Sequence, residues 1–365
     1  MNNRPVILLG NGVRGGKLVN YLCSIGVPVL TTWMGIDLVP EDSPVFCGRP
    51  GVLGQRAANI IQQKATQLYC FGARLDTGQV AYSYDNFAPN AIKHIYDVDQ
   101  AELDKLPEHW HKHLVDLDKQ YAEPVPLGDR AWLKWCKDLY NELRPELEST
   151  GETEYVDPFE FISKLSDLCT SDDIIAMGSS GQAAEIFMQT FKVKKGQRIF
   201  NISTSGPMGA DIPMAIGACI ASGGKRTICV TGDGGFMLNV QELEVVYRLD
   251  LPIKFFVMRN EGYGSIRTMQ DLRFGKRVGC DAESGFTLPD LSSVANSYDL
   301  THITLHNNSS LNVLGKYLSE GFDIFSLSIN PSFAQFPKVM SPNLKADPME
   351  DMTPKLSNLK ELMNV

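Results

Sequence analysis

Two short runs carry the strongest chemical signal in this chain. Gly232-Asp233-Gly234-Gly235 follows the apolar run Thr227 to Thr231, and Asn260-Glu261-Gly262-Tyr263-Gly264 follows Ile253 to Met258. Glycines let backbone N–H groups come close to phosphate oxygens, and a helix N-terminus favours negative charge. Mg²⁺ is a hard cation that combines one or two protein carboxylates with phosphates and water. Asp233 can give one oxygen, Asn260 a side-chain carbonyl and Gly262 a backbone carbonyl, so the two runs suit a diphosphate held through a divalent cation. Taken alone, Gly-Asp-Gly-Gly also fits a tight turn and Asn260 a helix cap. The spacing of the whole unit favours the ligand reading.

The elements that must position these residues form one βαβ unit. The segment between the runs is helical, with apolar residues at Leu238, Leu243, Val246 and Leu249 and a break at Leu251-Pro252. In open α/β sheets ligands bind at the carboxyl ends of the strands. The same alternation runs through the protein. Val6 to Leu9, Val27 to Thr32, Gln67 to Phe71 and Ile92 to Asp97 read as strands in the first half, with Lys17 to Leu22 helical. Ile174 to Met177, Ile199 to Ile202 and Asp323 to Ile329 join the two runs of the second half. Strands alternating with helices imply parallel sheets. The polar segment Arg144 to Glu154 reads as a linker. The fold class is therefore α/β, with two doubly wound parallel-sheet domains: a Rossmann-like domain over 1–150 and a diphosphate-binding domain over 151–365 that includes the C-terminal tail.

Gly232-Asp233-Gly234 followed by Asn260 resembles the thiamine diphosphate (ThDP) motif of the pyruvate oxidase and acetolactate synthase family. Gly206-Pro207-Met208-Gly209-Ala210 to Ala218 is similar to the family segment that precedes the motif. The resemblance implies that the Gly206 carbonyl and Met208 hold the cofactor bent; Met208 also fits a core methionine. Ser180-Gly181-Gln182-Ala183 resembles the first diphosphate loop. With Gly235, Tyr263, Gly264, Ser265 and Ile266 these residues make up the implied cofactor site, and Asp233, Asn260 and Gly262 the implied Mg²⁺ ligands. Pro5 to Gly12, Gly72-Ala73-Arg74 and Asp97-Val98-Asp99 are similar to the family's central domain, and Pro348 to Pro354 to its C-terminal segment. The implied activity starts from a small 2-oxo acid such as pyruvate and ends in decarboxylation or carboligation.

Some family features are altered. Met269 stands where acetolactate synthases carry a tryptophan, Leu75-Asp76-Thr77-Gly78 where they carry an Asp-Arg pair, and Gly51-Val52-Leu53-Gly54 where they carry Gly-Met-His-Gly. These changes speak against true acetolactate synthesis and against stoichiometric FAD. Gly51 to Asn59 with Gly72 to Asp76 looks closer to the acetolactate-synthase-like proteins of bacterial surface polysaccharide synthesis. Family members also carry a pyrimidine-binding domain ahead of the central one, whose glutamate activates the cofactor. Met1 stands directly before the strand Val6 to Leu9, so the expectation is that the pyrimidine-binding domain belongs to a separate polypeptide. It would complete a hetero-oligomer with at least two copies, and this chain would be inactive alone.

Two other functions remain open at this point. One is a non-catalytic or regulatory ThDP-binding subunit. The other is an NAD- or FAD-dependent oxidoreductase built on Gly10-Asn11-Gly12-Val13-Arg14-Gly15, which fits a dinucleotide loop although Thr32-Trp33 stand where an acidic residue is expected. His109, His111 and His113 share no face if helical and read as a solvated cluster. Asp99 reads as a helix N-cap with Glu102 closing a capping box. A net charge of −9 excludes a nucleic-acid partner, and no apolar run is long enough to span a membrane. Eight scattered cysteines without a CxxC pair fit reduced thiols in the cytoplasm.

Overall fold

The computed structural model describes residues 3–15, 17–117, 125–178, 180–334, 336–341 and 345–363. It divides into two compact units, 1–148 with 336–365, and 149–335. The first unit contains β1 (Pro5–Leu9), α1 (Leu18–Ser24), β2 (Val29–Thr31), α2 (Arg56–Lys64), β3 (Gln67–Phe71), β4 (Ile92–Asp97), α3 (Gln100–Asp104), β5 (His111–Leu114) and α4 (Arg130–Glu142). Its sheet has five parallel strands in the order β2-β1-β3-β4-β5. Every residue of β1 is buried, as expected for a parallel strand covered on both faces.

The second unit contains α5 (Pro158–Leu168), β6 (Ile174–Met177), α6 (Gly181–Thr190), β7 (Arg198–Phe200), α7 (Asp211–Ala221), β8 (Thr227–Gly232), α8 (Asp233–Leu238), α9 (Leu243–Arg248), β9 (Ile253–Arg259), α10 (Gly264–Phe274), α11 (Leu291–Ser297), β10 (His302–Leu305), α12 (Leu314–Glu320) and β11 (Ile324–Ser328). Six parallel strands run in the order β10-β11-β9-β8-β6-β7. The apolar face of α7 (Ile212, Ala215, Ile216, Cys219) joins one core with Cys229, Phe255 and Val257 of the sheet. Asp157 caps α5 through the Phe159 and Glu160 amides, with Pro158 in the first turn. No helix among the described residues is long and apolar enough to cross a membrane. The eight cysteines are all free thiols.

Both sheets reverse their strand order, the second also at its β11–β10 edge. In the first unit the reversal lies between β1 and β3, and in the second the one beside the site lies between β6 and β8. Such switch points leave a crevice at the carboxyl edge. In the first unit backbone closes it. The Gly10 amide donates to the Phe71 carbonyl (2.9 Å) and the Gly12 amide to the Gly72 carbonyl (3.0 Å). A Cβ on Gly10 would stand 2.1 Å from the Gly72 oxygen. The glycines of the dinucleotide-like loop thus serve close packing of two loops, and the N–H groups of Gly10 and Gly12 are committed to protein carbonyls. Arg14 then reaches across to the buried Asp37 beyond β2 (2.5 Å).

Three sequence expectations are corrected here. The tail, assigned above to the diphosphate-binding half, packs in the first unit: Val339, Met349 and Met352 lie in its core. The reason is α2, whose buried face carries Arg56, Asn59, Gln62 and Gln63. Buried polar groups need partners, and the tail supplies them. Asn59 Nδ2 donates to the Met349 carbonyl (3.0 Å), Arg56 Nη1 to that of Met352 (3.1 Å) and Gln63 Nε2 to Glu350 (2.9 Å). Second, His111 and His113 lie on a strand, not a helix, so their two-residue step puts them on one face. His111 stacks with His94, and His113 with Tyr96, at centroid distances of 5.0 and 4.4 Å. Third, Asp99 caps α3 through the Ala101 amide (2.9 Å) as expected, but Glu102 turns to Lys105 and Arg74 rather than closing a capping box.

Candidate functional site

Strands β8 and β9 are neighbours, with Gly232 opposite Met258, so the backbone leaves both at the same place. Asp233 opens α8 there and is buried. Its Oδ1 accepts from the Gly234 amide (2.7 Å), and its Oδ2 from the amides of Asn260 (3.1 Å) and Gly262 (3.3 Å). A carboxylate offers about four lone-pair sites; three are used, and one remains on Oδ1. Burial raises the Asp233 carboxyl from 3.8 to about 6, against the opposing pull of the Gly234 and Gly262 amides.

Asn260 is 7% exposed. Its Nδ2 donates to Gln182 Oε1 (3.0 Å), and its backbone carbonyl accepts from Arg267 Nη2 (3.0 Å). Its Oδ1 is buried with no hydrogen-bond partner among the described residues. Leaving a buried acceptor unmet costs about 1–3 kcal/mol, so this oxygen marks where something else must sit. An unpartnered amide oxygen, on a residue whose backbone amide donates to a carboxylate with a lone pair to spare, is the hard-oxygen chemistry that suits Mg²⁺. Among the described residues no group of three or more His, Cys, Asp or Glu could hold a metal ion, so any cation here would rely on amide, backbone and ligand oxygens as well.

The neighbouring loops complete the surround. Gly181 opens α6, and a Cβ on it would lie 3.5 Å from Ser265 Oγ at the start of α10. Ser180 is exposed there, whereas Ala183 is buried in the core. Gln182 faces inward, joining Asn260 to the Phe333 carbonyl (3.0 Å). Tyr263 stacks on Phe286 at 4.2 Å and covers Gly234, where a Cβ would stand 2.4 Å from the ring and 3.5 Å from Met208 Cε. Met208 itself is 41% exposed, and Ile266 38%. Met208 is therefore not a core methionine. The Gly209 carbonyl behind it accepts from Asn239 Nδ2 (2.7 Å).

Sequence reasoning missed three of these residues. Asp211, at the start of α7, is buried with Oδ1 unpartnered among the described residues, and burial lifts its carboxyl from 3.8 to about 6. Its Oδ2 lies 3.3 Å from where a Gly235 Cβ would be. Arg267 is a buried guanidinium that donates to the Asn260 and Pro331 carbonyls. Phe333 enters the site through its backbone carbonyl. An acidic residue in a first helical turn reads as ordinary capping, and nothing in a sequence marks a backbone acceptor.

Residues 179–323 match the family model described as thiamine pyrophosphate enzyme, C-terminal TPP binding domain, and residues 2–115 match thiamine pyrophosphate enzyme, central domain. The chain belongs to the thiamine pyrophosphate enzymes. Within them it is similar to the acetolactate synthase isozyme 2 large subunit of Escherichia coli (strain K12). The two are 30% identical over 86% of this chain and 59% of that protein. It is likewise similar to acetolactate synthase 2, chloroplastic, of Zea mays, 28% identical over 90% of this chain and 53% of the relative. The probable acetolactate synthase large subunit of Methanocaldococcus jannaschii is 30% identical over 81% of this chain and 52% of the relative. The chain thus spans about half the length of these curated relatives.

Proposed function

We propose that this protein is the diphosphate-binding part of a ThDP- and Mg²⁺-dependent enzyme acting on a small 2-oxo acid. The observation that carries the reading is the buried, orphaned Oδ1 of Asn260, a residue whose backbone amide donates to Asp233. Asp233 Oδ1, Asn260 Oδ1 and the Gly262 carbonyl would hold Mg²⁺, with diphosphate oxygens and water filling the remaining positions. The start of α8 and the Ser180–Gly181 turn would receive the diphosphate. Met208, exposed and packed over Gly234, would brace the rest of the cofactor. When bound, ThDP supplies a carbon nucleophile for the 2-oxo acid carbonyl and an electron sink for loss of CO₂. The protein's own residues orient it and hold the metal.

The glutamate that activates the cofactor would come from a pyrimidine-binding domain on a separate polypeptide, in a hetero-oligomer with at least two copies of this one. The exposure of Met208 and Ile266 beside the cation cradle supports the docking of a further domain there. Apolar residues left open at a site rim suit a docked partner. Eight free thiols support a cytoplasmic setting. The test is calorimetry of ThDP binding with and without Mg²⁺, followed by turnover of a 2-oxo acid panel with and without the co-expressed partner. Mg²⁺-dependent binding by this protein, with turnover only in the complex, is expected. Full turnover by the isolated protein overturns the split arrangement, and a stoichiometric flavin band in the native complex overturns the expectation that it carries no FAD.

A further inference from the structure

We infer that Gln182 is a positioning residue: it fixes the Asn260 amide so that Oδ1, and not Nδ2, faces the cation. The inference rests on the reading of Asn260 as a ligand and extends it to a glutamine whose two arms are both engaged by other protein groups. A primary amide has nearly the same shape at both ends, so packing alone does not select which end faces a ligand. Here the selection starts at the Phe333 carbonyl, which can only accept. Gln182 Nε2 donates to it at 3.0 Å, which turns Gln182 Oε1 toward Asn260. Oε1 can only accept in its turn, so Asn260 presents Nδ2 to it at 3.0 Å. Reversing Asn260 would set Oδ1 against Oε1. Reversing both amides would set Oε1 against the Phe333 oxygen. Either arrangement buries two acceptors against each other, at about 1–3 kcal/mol per unmet group.

The rest of Asn260 is held as firmly. Its backbone amide donates to Asp233 Oδ2, and its backbone carbonyl takes the buried Arg267 guanidinium, which is anchored on the Pro331 carbonyl at 2.5 Å. The position beside Nδ2 must be a glycine, because a Cβ on Gly264 would stand 2.5 Å from that nitrogen. The backbone amide, the backbone carbonyl and Nδ2 all have protein partners, and Oδ1 alone has none among the described residues. Residues behind metal ligands that fix their orientation typically change metal affinity by about 10–100-fold. In this protein that orientation is set by the backbone following β11, through one glutamine.

The test measures ThDP binding to the purified full-length protein by calorimetry while free Mg²⁺ is varied, and reads the Mg²⁺ concentration at half-maximal binding. Gln182→Leu should raise it about 10–100-fold. In an Asn260→Asp background, where either side-chain oxygen can face the cation, Gln182→Leu should add less than about twofold. Thermal melts establish that each variant folds, and Gln182→Met replaces the leucine variant if that one does not. An unchanged Mg²⁺ requirement in Gln182→Leu, or an equal loss in the Asn260→Asp background, overturns the inference. Failure of the wild-type protein to bind ThDP at saturating Mg²⁺ sinks the proposed function and this inference together. Wild-type binding with an indifferent Gln182 sinks this inference alone.

Discussion

The β1/β3 and β6/β8 switch points start from the same architecture and end differently. Each lies at the carboxyl edge of a parallel sheet, and each has a glycine-rich loop leading from a strand toward a helix. In the first unit the Gly10–Gly12 and Gly72 backbones fill the crevice and satisfy one another. In the second, the loops after β6, β8 and β9 stand around a carboxylate with a free lone pair and an amide oxygen with no partner among the described residues. A glycine motif marks a place where backbone must come close to something. Whether that something is a phosphate or another loop is decided by which polar groups are left unmet.

The comparison can be broken first at the closed crevice. Gly72→Val puts a β-branched side chain at φ +54° and 2.7 Å from Gly12, which should cost the first unit about 4 kcal/mol without changing ThDP affinity. A urea titration and calorimetry check the two halves of that statement. At the open site, Asp233→Ala should weaken Mg²⁺-dependent ThDP binding by at least about 100-fold, near 3 kcal/mol, while circular dichroism shows the sheet intact. Unchanged affinity there would remove the distinction between the two edges.

Asp211 sharpens the comparison through pH. Burial raises its carboxyl from 3.8 to about 6 in the folded state. Below about pH 4 it is protonated whether folded or not and costs nothing. Between about 4 and 6 the unfolded state ionises first, so stability falls, and above about 6 the whole cost is in place. Asp211→Asn should therefore stabilise the protein by up to about 2–3 kcal/mol at pH 8 and by little at pH 4. Melting curves across that range test it, and a difference that does not grow with pH contradicts it. The smallest effect is at the rim. Met208→Ala should lower kcat of the complete assembly about tenfold while ThDP affinity changes little, because the diphosphate and metal contacts remain. An unaffected kcat would make Met208 a surface residue only.

The sequence made the central strands legible because parallel strands buried on both faces are short continuous apolar runs, as in Val6 to Leu9 and Phe255 to Met258. It hid two of the four edge strands. His111 to Leu114 and His302 to Leu305 are half-exposed and mixed in character, so neither period nor hydropathy separates them from loop. At the site, Asp233, Asn260 and Gly262 could be named from spacing, and the structure brings them onto one carboxylate. Gln182 was legible as part of a loop but not as a partner of Asn260, since that contact joins residues 78 positions apart. The buried Asp211 and Arg267 carry no local signature. Their roles come from depth, which a single sequence does not record.

The return of the tail to the first unit has a consequence for how the protein is made. The second unit is inserted within the first, so residues of the first unit made before the insertion wait for those made after it. Until Met349 and Met352 leave the ribosome, Arg56 and Asn59 on α2 lack the carbonyls that meet them in the finished fold. The inserted unit can close on its own residues much sooner, since domains fold as units during synthesis. The order of translation and the order of completion therefore run in opposite directions, with the domain begun first being the last to be sealed.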